Sequence, residues 1–410
     1  MSTPTAVELI YDWNAVDAPA APAHVMLDDE TLRDGLQSPS VATPTIEQKI
    51  ELLHLLDRLG IESADLGLPG AGAHVAADVE RLAREIVDSR LRVRPNCAAR
   101  TLRTDIEPIV EISQRVGIPI ECCAFIGSSP IRQYAEGWTL DFLRERTEEA
   151  VAFAVAQGLP VMYVTEDTTR AHPTTLGALY RTAIAAGAGR ICVADTVGHA
   201  TPAGATAVVR FARRVIEESG ADVGIDWHGH RDRDLAVVNT IAALEAGATR
   251  LHGAALGIGE RVGNTPMDLL LVNLVLMGYT ERDLSALPRY CELASEACEV
   301  EIPPNYPVFG RDAFRTATGV HAAAVIKAFH KGDVDLADRV YSGVPSRLVG
   351  RHQEIEIGPM SGRSNVVFWL ERRGIEATDA LVDEIFTRAK DSSRVLRDDE
   401  IEAYISAAGA

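Results

Sequence analysis

The chain has 410 residues, of which 47% are hydrophobic and 24% charged, and its formal net charge is −19. These proportions are those of ordinary globular proteins and exclude a disordered or fibrous chain. The acidic balance and the absence of any basic run predict no binding to nucleic acid or to an anionic membrane.

The N-terminal residues and the cysteines indicate the cellular compartment. The sequence does not open on a basic segment followed by an apolar stretch, and no apolar run approaches the length that crosses a bilayer. The six cysteines show no CxxC spacing, and the first four fall within apolar runs, which favours buried, reduced thiols. We therefore expect a cytoplasmic protein.

Residues 1–20 are rich in Ala and Pro and predict an N-terminal arm, whereas short apolar runs of β type follow from residue 21. The predicted strands are HVMLDDE from residue 24, SADLGL from 63, LRVRPNC from 91, PIECCAFI from 119, LPVMYVTE from 159, RICVADT from 190, VGIDWHGH from 223 and TRLHGAALG from 249. Segments such as IEQKIELLHLLDRLG lie between them and carry apolar residues every three or four positions, the period of a helix that covers a sheet.

Alternation of eight nearly all-apolar strands with helices predicts the fold class. Such strands belong to a parallel sheet that is buried on both faces, and eight strand–helix units close into a (β/α)8 TIM barrel, here over residues 21–285. An open doubly wound sheet is the alternative, but it would usually carry a Gly-rich phosphate turn where this chain has TLRDGLQSPS. Beyond residue 285 the alternation stops, and we predict a mainly helical accessory region over 286–410.

Polar residues at the predicted strand ends are the candidates for chemistry, because barrel enzymes carry their active sites at the carboxyl ends of the strands. His228 and His230 end strand seven two positions apart, so both side chains point to the same side. Asp34 follows strand one, and strands one and seven both neighbour strand eight in a closed barrel. One carboxylate and two imidazoles predict a divalent metal site, for which ligand type alone does not choose among Mg, Mn, Zn and Fe(II).

Three further residues at strand ends are weaker candidates. Asn264 ends the loop GIGERVGN after strand eight and could give the ion a neutral oxygen, although the segment is also typical of a simple turn. Glu166 and Thr196 end strands five and six. A glutamate there could move a proton and a threonine could hold a substrate carboxylate, or both could cap the following helices.

These segments together resemble the DRE-TIM metallolyase family, which includes 2-isopropylmalate, homocitrate and citramalate synthases and 3-hydroxy-3-methylglutaryl-CoA lyase. DETLRDGLQSP from residue 29 is similar to the family's first-strand signature, and HGHRD from 228 is similar to its HxH metal motif. GIGERVGN resembles the loop of the synthase branch rather than the cysteine-bearing loop of the lyases. The sequence departs from the family pattern at Leu36 and Ala317, where a Glu is usual, so the 2-oxo acid stays open.

The resemblance implies roles for residues that the spacing does not reach. Arg33 is implied in catalysis and in substrate binding, and Gln37 in substrate binding. PPNYPVFGRDAF and the following TGVH are similar to the region that carries a catalytic histidine, so His321 is the implied base, assisted by Glu166. Tyr341 is implied as a further substrate-binding residue.

The expected function is a metal-dependent condensation of acetyl-CoA, as co-substrate, with a 2-oxo acid, giving an alkylmalate and free CoA. The resemblance thus predicts an acyltransferase of amino-acid biosynthesis, a homodimer, and no leucine-binding regulatory domain. The alternatives are a retro-aldol or Claisen lyase of the hydroxymethylglutaryl-CoA type, a catalytically idle barrel that serves as an assembly subunit, and an Fe(II) oxygenase.

Overall fold

The structure, a computed structural model, describes residues 5–16 and 19–407. Its main feature is a closed parallel barrel in which the strands follow one another in chain order and the eighth pairs with the first. The strands are β1 Met26–Asp29, β2 Ser63–Asp65, β3 Arg94–Arg100, β4 Glu121–Gly127, β5 Val161–Glu166, β6 Arg190–Asp195, β7 Gly224–Gly229 and β8 Arg250–Gly253. Each lies within or overlaps a predicted apolar run, so the predicted TIM barrel is confirmed.

Helices cover the outside of this barrel. They are α1 Ile46–Arg58, α2 Ala73–Asp88, α3 Arg103–Val116, α4 Pro130–Glu136, α5 Leu140–Ala156, α6 Pro173–Ala185, α7 Pro202–Ser219, α8 Ala236–Ala246, α9 Met267–Leu276 and α10 Leu287–Cys298. The start of α1 shows why the chain turns helical: the Thr45 side chain accepts a hydrogen bond from the Gln48 amide, and the Gln48 side chain accepts one from the Thr45 amide. This reciprocal cap satisfies amides that have no partner within the helix.

The inward side of the strands differs around the barrel. On β7 and β8 the inward residues are charged or polar, such as Asp226, His228 and His252, and they are buried. On β4, β5 and β6 the inward residues Cys123, Met162 and Cys192 form an apolar cluster against which Val164 packs. The barrel interior is therefore charged along β7 and β8 and apolar at these positions of β4 to β6, whereas Glu121 and Arg190, at the start of β4 and β6, pair with Arg250 and Asp226.

Residues 5–16 and 302–407 form a second compact unit. Its elements are β9 Arg315–Thr316, α11 Gly319–His330, α12 Val334–Arg339, β10 Glu354–Ile355, α13 Arg363–Arg372, α14 Asp379–Asp391 and α15 Asp398–Ala407. The side chains of Trp369, Leu370 and Ile385 are at the centre of its larger core. The predicted helical character of the C-terminal region is confirmed.

The division between the two units falls after Glu301, whereas the sequence placed the boundary at 285. The difference is α10, which belongs to the barrel because the Tyr290 hydroxyl donates a hydrogen bond to the Asp29 carboxylate of β1. Residues 1–4 and 17–18 of the predicted arm and 408–410 of the accessory region lie outside the described residues.

Two predictions about the whole chain concern cysteines and membranes. All six cysteines are buried and unpaired, as predicted. Within residues 5–16 and 19–407, none of the helices combines the length and apolar character needed to span a bilayer.

Candidate active site

A cavity of about 370 Å³ opens at the carboxyl ends of the barrel strands. Seven of the residues predicted from the sequence line it: Arg33, Asp34, Gln37, Glu166, Thr196, His228 and His230. Its volume lies in the range of small-molecule binding sites. The barrel cavity is therefore the candidate active site.

The structure brings Asp34, His228 and His230 together at one end of this cavity. One ligand atom from each lies within 4.8 Å of the others, and all three residues are buried. The Nε2 atom of His230 lies 3.5 Å from Oδ2 of Asp34. Two imidazoles and a carboxylate at this spacing suit a divalent ion.

Three of the buried polar atoms that lack a hydrogen-bond partner belong to the predicted ligand residues. Asp34 Oδ2, His230 Nδ1 and Asn264 Oδ1 are buried and have no hydrogen-bond partner among the described residues. For two of them a neighbour fixes the orientation: Arg33 donates to Asp34 Oδ1 at 2.9 Å, and the Asn264 amide donates to the Ile258 carbonyl at 3.0 Å. Because an unsatisfied buried polar group costs about 1–3 kcal/mol, atoms such as these are typical of a ligand site, and a divalent ion fits them.

Glu30 orients one of the candidate ligands, and sequence reasoning missed it. Its Oε2 lies 2.6 Å from Nδ1 of His228, which leaves Nε2 of that ring free for an ion. Histidine ligands of metals generally donate their other N–H to a carboxylate in this way. The signal available in the sequence was the position of Glu30 at the end of strand one, four residues before Asp34.

His252 on β8 is the second residue that was missed. Its Nδ1 lies 3.1 Å from Glu30 Oε1, and its Nε2 lies 2.9 Å from Asp226 Oδ2. Burial opposes a charge on this ring, but the carboxylates of Glu30 and Asp28 outweigh burial and raise the pKa of His252 to about 10. His252 is therefore an imidazolium that holds Glu30 in place.

His230 differs from His252 in its charge state. Burial, reinforced by the neighbouring His228, lowers the pKa of His230 to about 4. The ring is therefore neutral near pH 7, which is the form that binds a metal ion.

Arg33 is surrounded by carboxylates. Its guanidinium donates to Glu30 and Asp65 at 2.7 Å and to Asp34 at 2.9 Å. Burial opposes its charge, but these three carboxylates raise the pKa of Arg33 well above its usual value. Arg33 thus positions Asp34 and keeps a positive charge at the cavity wall.

Glu166 and Thr196 do not cap the helices that follow them, because the capping residues of α6 and α7 are His172 and Thr201. Burial raises the pKa of Glu166, whose carboxylate lies 3.4 Å from Nε of Arg132. The Thr196 hydroxyl accepts a hydrogen bond from the Asp167 amide at 2.8 Å. Its own hydrogen is then available to a ligand in the cavity.

His321 and Tyr341 belong to the second unit, whereas the residues that line the cavity all belong to the barrel. The two rings stack on each other, with centroids 4.2 Å apart and planes at 25°. Both residues are exposed within the structure. The structure thus places His321 and Tyr341 in contact with each other.

Known proteins place the chain in a family. A family model described as HMGL-like matches residues 24–293, more than half of the chain. The chain belongs to the HMGL-like family. Its relatives include homocitrate synthase AksA from Methanopyrus kandleri, with 33% identity over 93% of this chain and 90% of that protein. A probable 2-isopropylmalate synthase from the same organism is 32% identical over 90% of this chain and 70% of that protein.

Solved structures of the HMGL-like fold agree with the barrel. Hydroxymethylglutaryl-CoA lyase from Pseudomonas aeruginosa matches with a TM-score of 0.56 and 19% identity, over 67% of this chain and 93% of that one. At this identity the match establishes the fold alone. The synthase relatives, by contrast, align over nearly the whole chain, which favours the synthase branch over the lyase branch.

Proposed function

We propose that the chain is an acyltransferase that condenses acetyl-CoA with a 2-oxo acid, giving an alkylmalate and free CoA. The observation that carries the proposal is the set of buried, unpartnered oxygen and nitrogen atoms on Asp34, His230 and Asn264 beside His228. The synthase relatives support condensation over the reverse, lyase-type cleavage.

The group that this donor set would hold is a divalent ion, with Mg, Mn and Zn as the candidates. Asp34, His228 and His230 would be its side-chain ligands, and Asn264 would add a neutral oxygen. When bound, the ion supplies Lewis-acid polarisation of the keto group of the 2-oxo acid.

The residues around the donor set bind and orient the substrate. The Thr196 hydroxyl donates to the carboxylate of the 2-oxo acid, and Gln37 at the cavity edge adds an amide donor. Arg33 offers a fixed positive charge where negative charge develops on the keto oxygen during attack. A charge that is already in position lowers the barrier because it does not reorganise during the reaction.

A base must remove a proton from the acetyl methyl group, which is a weak carbon acid. Within the barrel unit, Glu166 is suited to this step because its raised pKa brings it closer to neutrality, where a general base is most effective. His321, with Tyr341 stacked on it, is proposed as the partner of Glu166 from the family resemblance. The new carbon–carbon bond forms at the keto carbon, and water then cleaves the thioester to release CoA.

Some proposals follow from the resemblance and the composition together. We propose that the protein is a homodimer of the cytoplasm and that it takes part in amino-acid biosynthesis. Its acidic charge supports the absence of a nucleic-acid partner.

Release of free thiol from acetyl-CoA, followed with a panel of 2-oxo acids, tests the proposed reaction. Mass spectrometry of the same mixtures identifies the alkylmalate. Treatment with a chelator should abolish thiol release, and adding Mg, Mn or Zn should restore it. Thiol release that is unchanged by the chelator would contradict the metal site, and no release with any 2-oxo acid would contradict the reaction.

A further inference from the structure

The wall of the cavity away from the candidate ion ligands is apolar. It consists of six side chains from β3 to β6 and the loop after β2: Leu68, Ala98, Phe125, Met162, Val164 and Ala194. In the barrel register Ala194 is paired with the candidate ligand His228, and Phe125 is paired with Val164. The apolar wall therefore begins one strand away from the point where a 2-oxo acid would be held.

The arginines of the cavity are already paired. Two arginines, Arg33 and Arg261, are among the described residues that line the cavity. Arg33 is paired with three carboxylates. The second, Arg261, donates to both carboxylate oxygens of Asp232 at 2.7 and 3.0 Å and to the Thr196 carbonyl at 2.7 Å. The charge of each guanidinium is therefore already balanced by at least one carboxylate before a substrate carboxylate arrives.

Two further cations near the cavity are also paired with carboxylates. Arg132 contacts the lining residue Glu166, but it is also paired with Glu136. The charged His252 is held by Glu30 and Asp226. The cavity itself is lined by more carboxylates than cations: Glu30, Asp34, Asp65, Glu166 and Glu260.

We infer that the cavity selects 2-oxo acids with an apolar side chain and a single carboxylate, and that it rejects 2-oxo dicarboxylic acids. The inference rests on the proposed function, in which the 2-oxo carboxylate is bound at the ion and at Thr196. A second carboxylate would then leave water for an apolar wall among acidic residues. The nearby guanidinium groups are already balanced by carboxylates, so they would not compensate the loss of hydration. An alkyl side chain at the same place gains by leaving water.

Two substrates that differ only at the far end give the sharpest test. 2-Oxopentanoate and 2-oxoglutarate have the same chain length, and a terminal methyl group in the first replaces a carboxylate in the second. We expect kcat/KM for 2-oxopentanoate to be at least about 100-fold higher, in line with the discrimination that pocket contacts can give. A kcat/KM for 2-oxoglutarate that equals or exceeds that for 2-oxopentanoate would overturn the inference and leave the proposed function standing.

A binding measurement separates this inference from the chemistry. Calorimetric titration of the Mn-loaded protein with each acid, without acetyl-CoA, should show the tighter dissociation constant for 2-oxopentanoate. Equal or reversed dissociation constants would overturn the inference. If no acid in the panel releases CoA, the proposed function fails, and the substrate class fails with it.

Variants of the apolar wall test whether these side chains cause the preference for 2-oxopentanoate over 2-oxoglutarate. Val164→Arg places a cation among the apolar side chains and should lower the ratio of kcat/KM for 2-oxopentanoate over 2-oxoglutarate by at least about tenfold, whereas Val164→Met should keep it. Phe125→Lys, at the paired position on β4, provides a second variant, and retention of Mn binding shows that each is folded. A ratio unchanged in both folded cationic variants would overturn the assignment of this wall to the substrate side chain.

Discussion

The inward side chains of the barrel differ in chemistry between β1, β7 and β8 on one side and β4 to β6 on the other. On β1, β7 and β8 the inward side chains are charged, and nearly all of them are paired, as Asp226 is with Arg190, Arg250 and His252. Further along β4 to β6 they are apolar and pack against one another, although Glu121 and Arg190, at the first positions of β4 and β6, join the charged network. The comparison indicates that one half is built to hold an ion and its ligands, and the other to contact an uncharged group.

Two of the buried atoms without a hydrogen bond in the charged region belong to candidate ion ligands, and a third, Asp28 Oδ2, lies 3.9 Å from Nδ1 of His252. A buried charge network is stable only while its members keep their partners, and removing one partner is costly. Asp34 Oδ2 and His230 Nδ1 are therefore costly in the absence of a ligand, since both are buried without a hydrogen bond. No such atom lies on the six side chains of the apolar wall, which carry no charged group.

Removing a candidate ligand from the charged region should have the largest effect. Asp34→Ala leaves Arg33 without one of its three carboxylates and takes an oxygen from the donor set. We expect kcat/KM for thiol release to fall by on the order of 10³-fold, because several kcal/mol of charge stabilisation are lost. Activity within tenfold of the wild type, at the same metal concentration, would show that Asp34 is not a ligand.

An intermediate effect is expected from Glu30, which lines the cavity and orients His228 but is not one of the proposed ion ligands. Glu30→Gln keeps the shape of the side chain but removes the charge shared by His228 and His252. Affinity for Mn, measured by titration calorimetry, should weaken by about 10–100-fold. Saturating Mn should restore most of the thiol release.

Glu62→Gln is the matched control for this experiment. Glu62 precedes β2 and pairs with Arg282, away from the donor set. The affinity of the Glu62→Gln variant for Mn should stay at the wild-type value. Equal losses in the two variants would mean that Glu30 acts on folding rather than on His228.

The smallest effect on catalysis is expected from a change to Asp29, on the outward side of β1, which should alter the pH dependence of stability instead. Burial raises the pKa of Asp29 to about 7, despite a hydrogen bond from Tyr290. Because the folded state binds this proton more tightly than the unfolded state does, its stabilising contribution is present at low pH and is lost as the pH rises through about 7. Between pH 5 and pH 8 the loss is on the order of 3 kcal/mol.

Asp29→Asn mimics the protonated carboxyl and should remove this pH dependence. The midpoint of thermal unfolding should fall less between pH 5 and pH 8 in the variant than in the wild type, while Mn affinity stays the same. Parallel falls in the two proteins would contradict the raised pKa of Asp29.

Much of the barrel was predictable because each strand is a short apolar run that is buried on both faces. The approach of Asp34 to His228 and His230 also followed from the sequence, since closure of the barrel places strands one and seven on either side of strand eight. The boundary at 285 was different: α10 follows the last strand and has the pattern of any amphipathic helix. Its membership in the barrel depends on contacts with other elements, among them the hydrogen bond of Tyr290 to Asp29 and the ion pair of Arg289 with Glu51 of α1, which spacing cannot reveal.

The supporting network could not be predicted for a related reason. Glu30 and His228 are 198 residues apart, and their contact depends on which rotamers the barrel interior allows. His252 lies within an apolar run, where a lone histidine gives no sign of charge. Its carboxylate partners, which set its pKa, lie on other strands. Sequence patterns gave the strand ends, but the pairing of charges inside the barrel depends on packing between strands.

A crystal structure of the protein with Mn and a 2-oxo acid, in the absence of acetyl-CoA, would test the division of the barrel most directly. The anomalous signal of Mn should lie at bonding distance, about 2.0–2.3 Å, from Asp34, His228 and His230, with the side chain of the acid against Phe125 and Val164. A Mn peak elsewhere, or an acid whose side chain points away from the apolar wall, would contradict it.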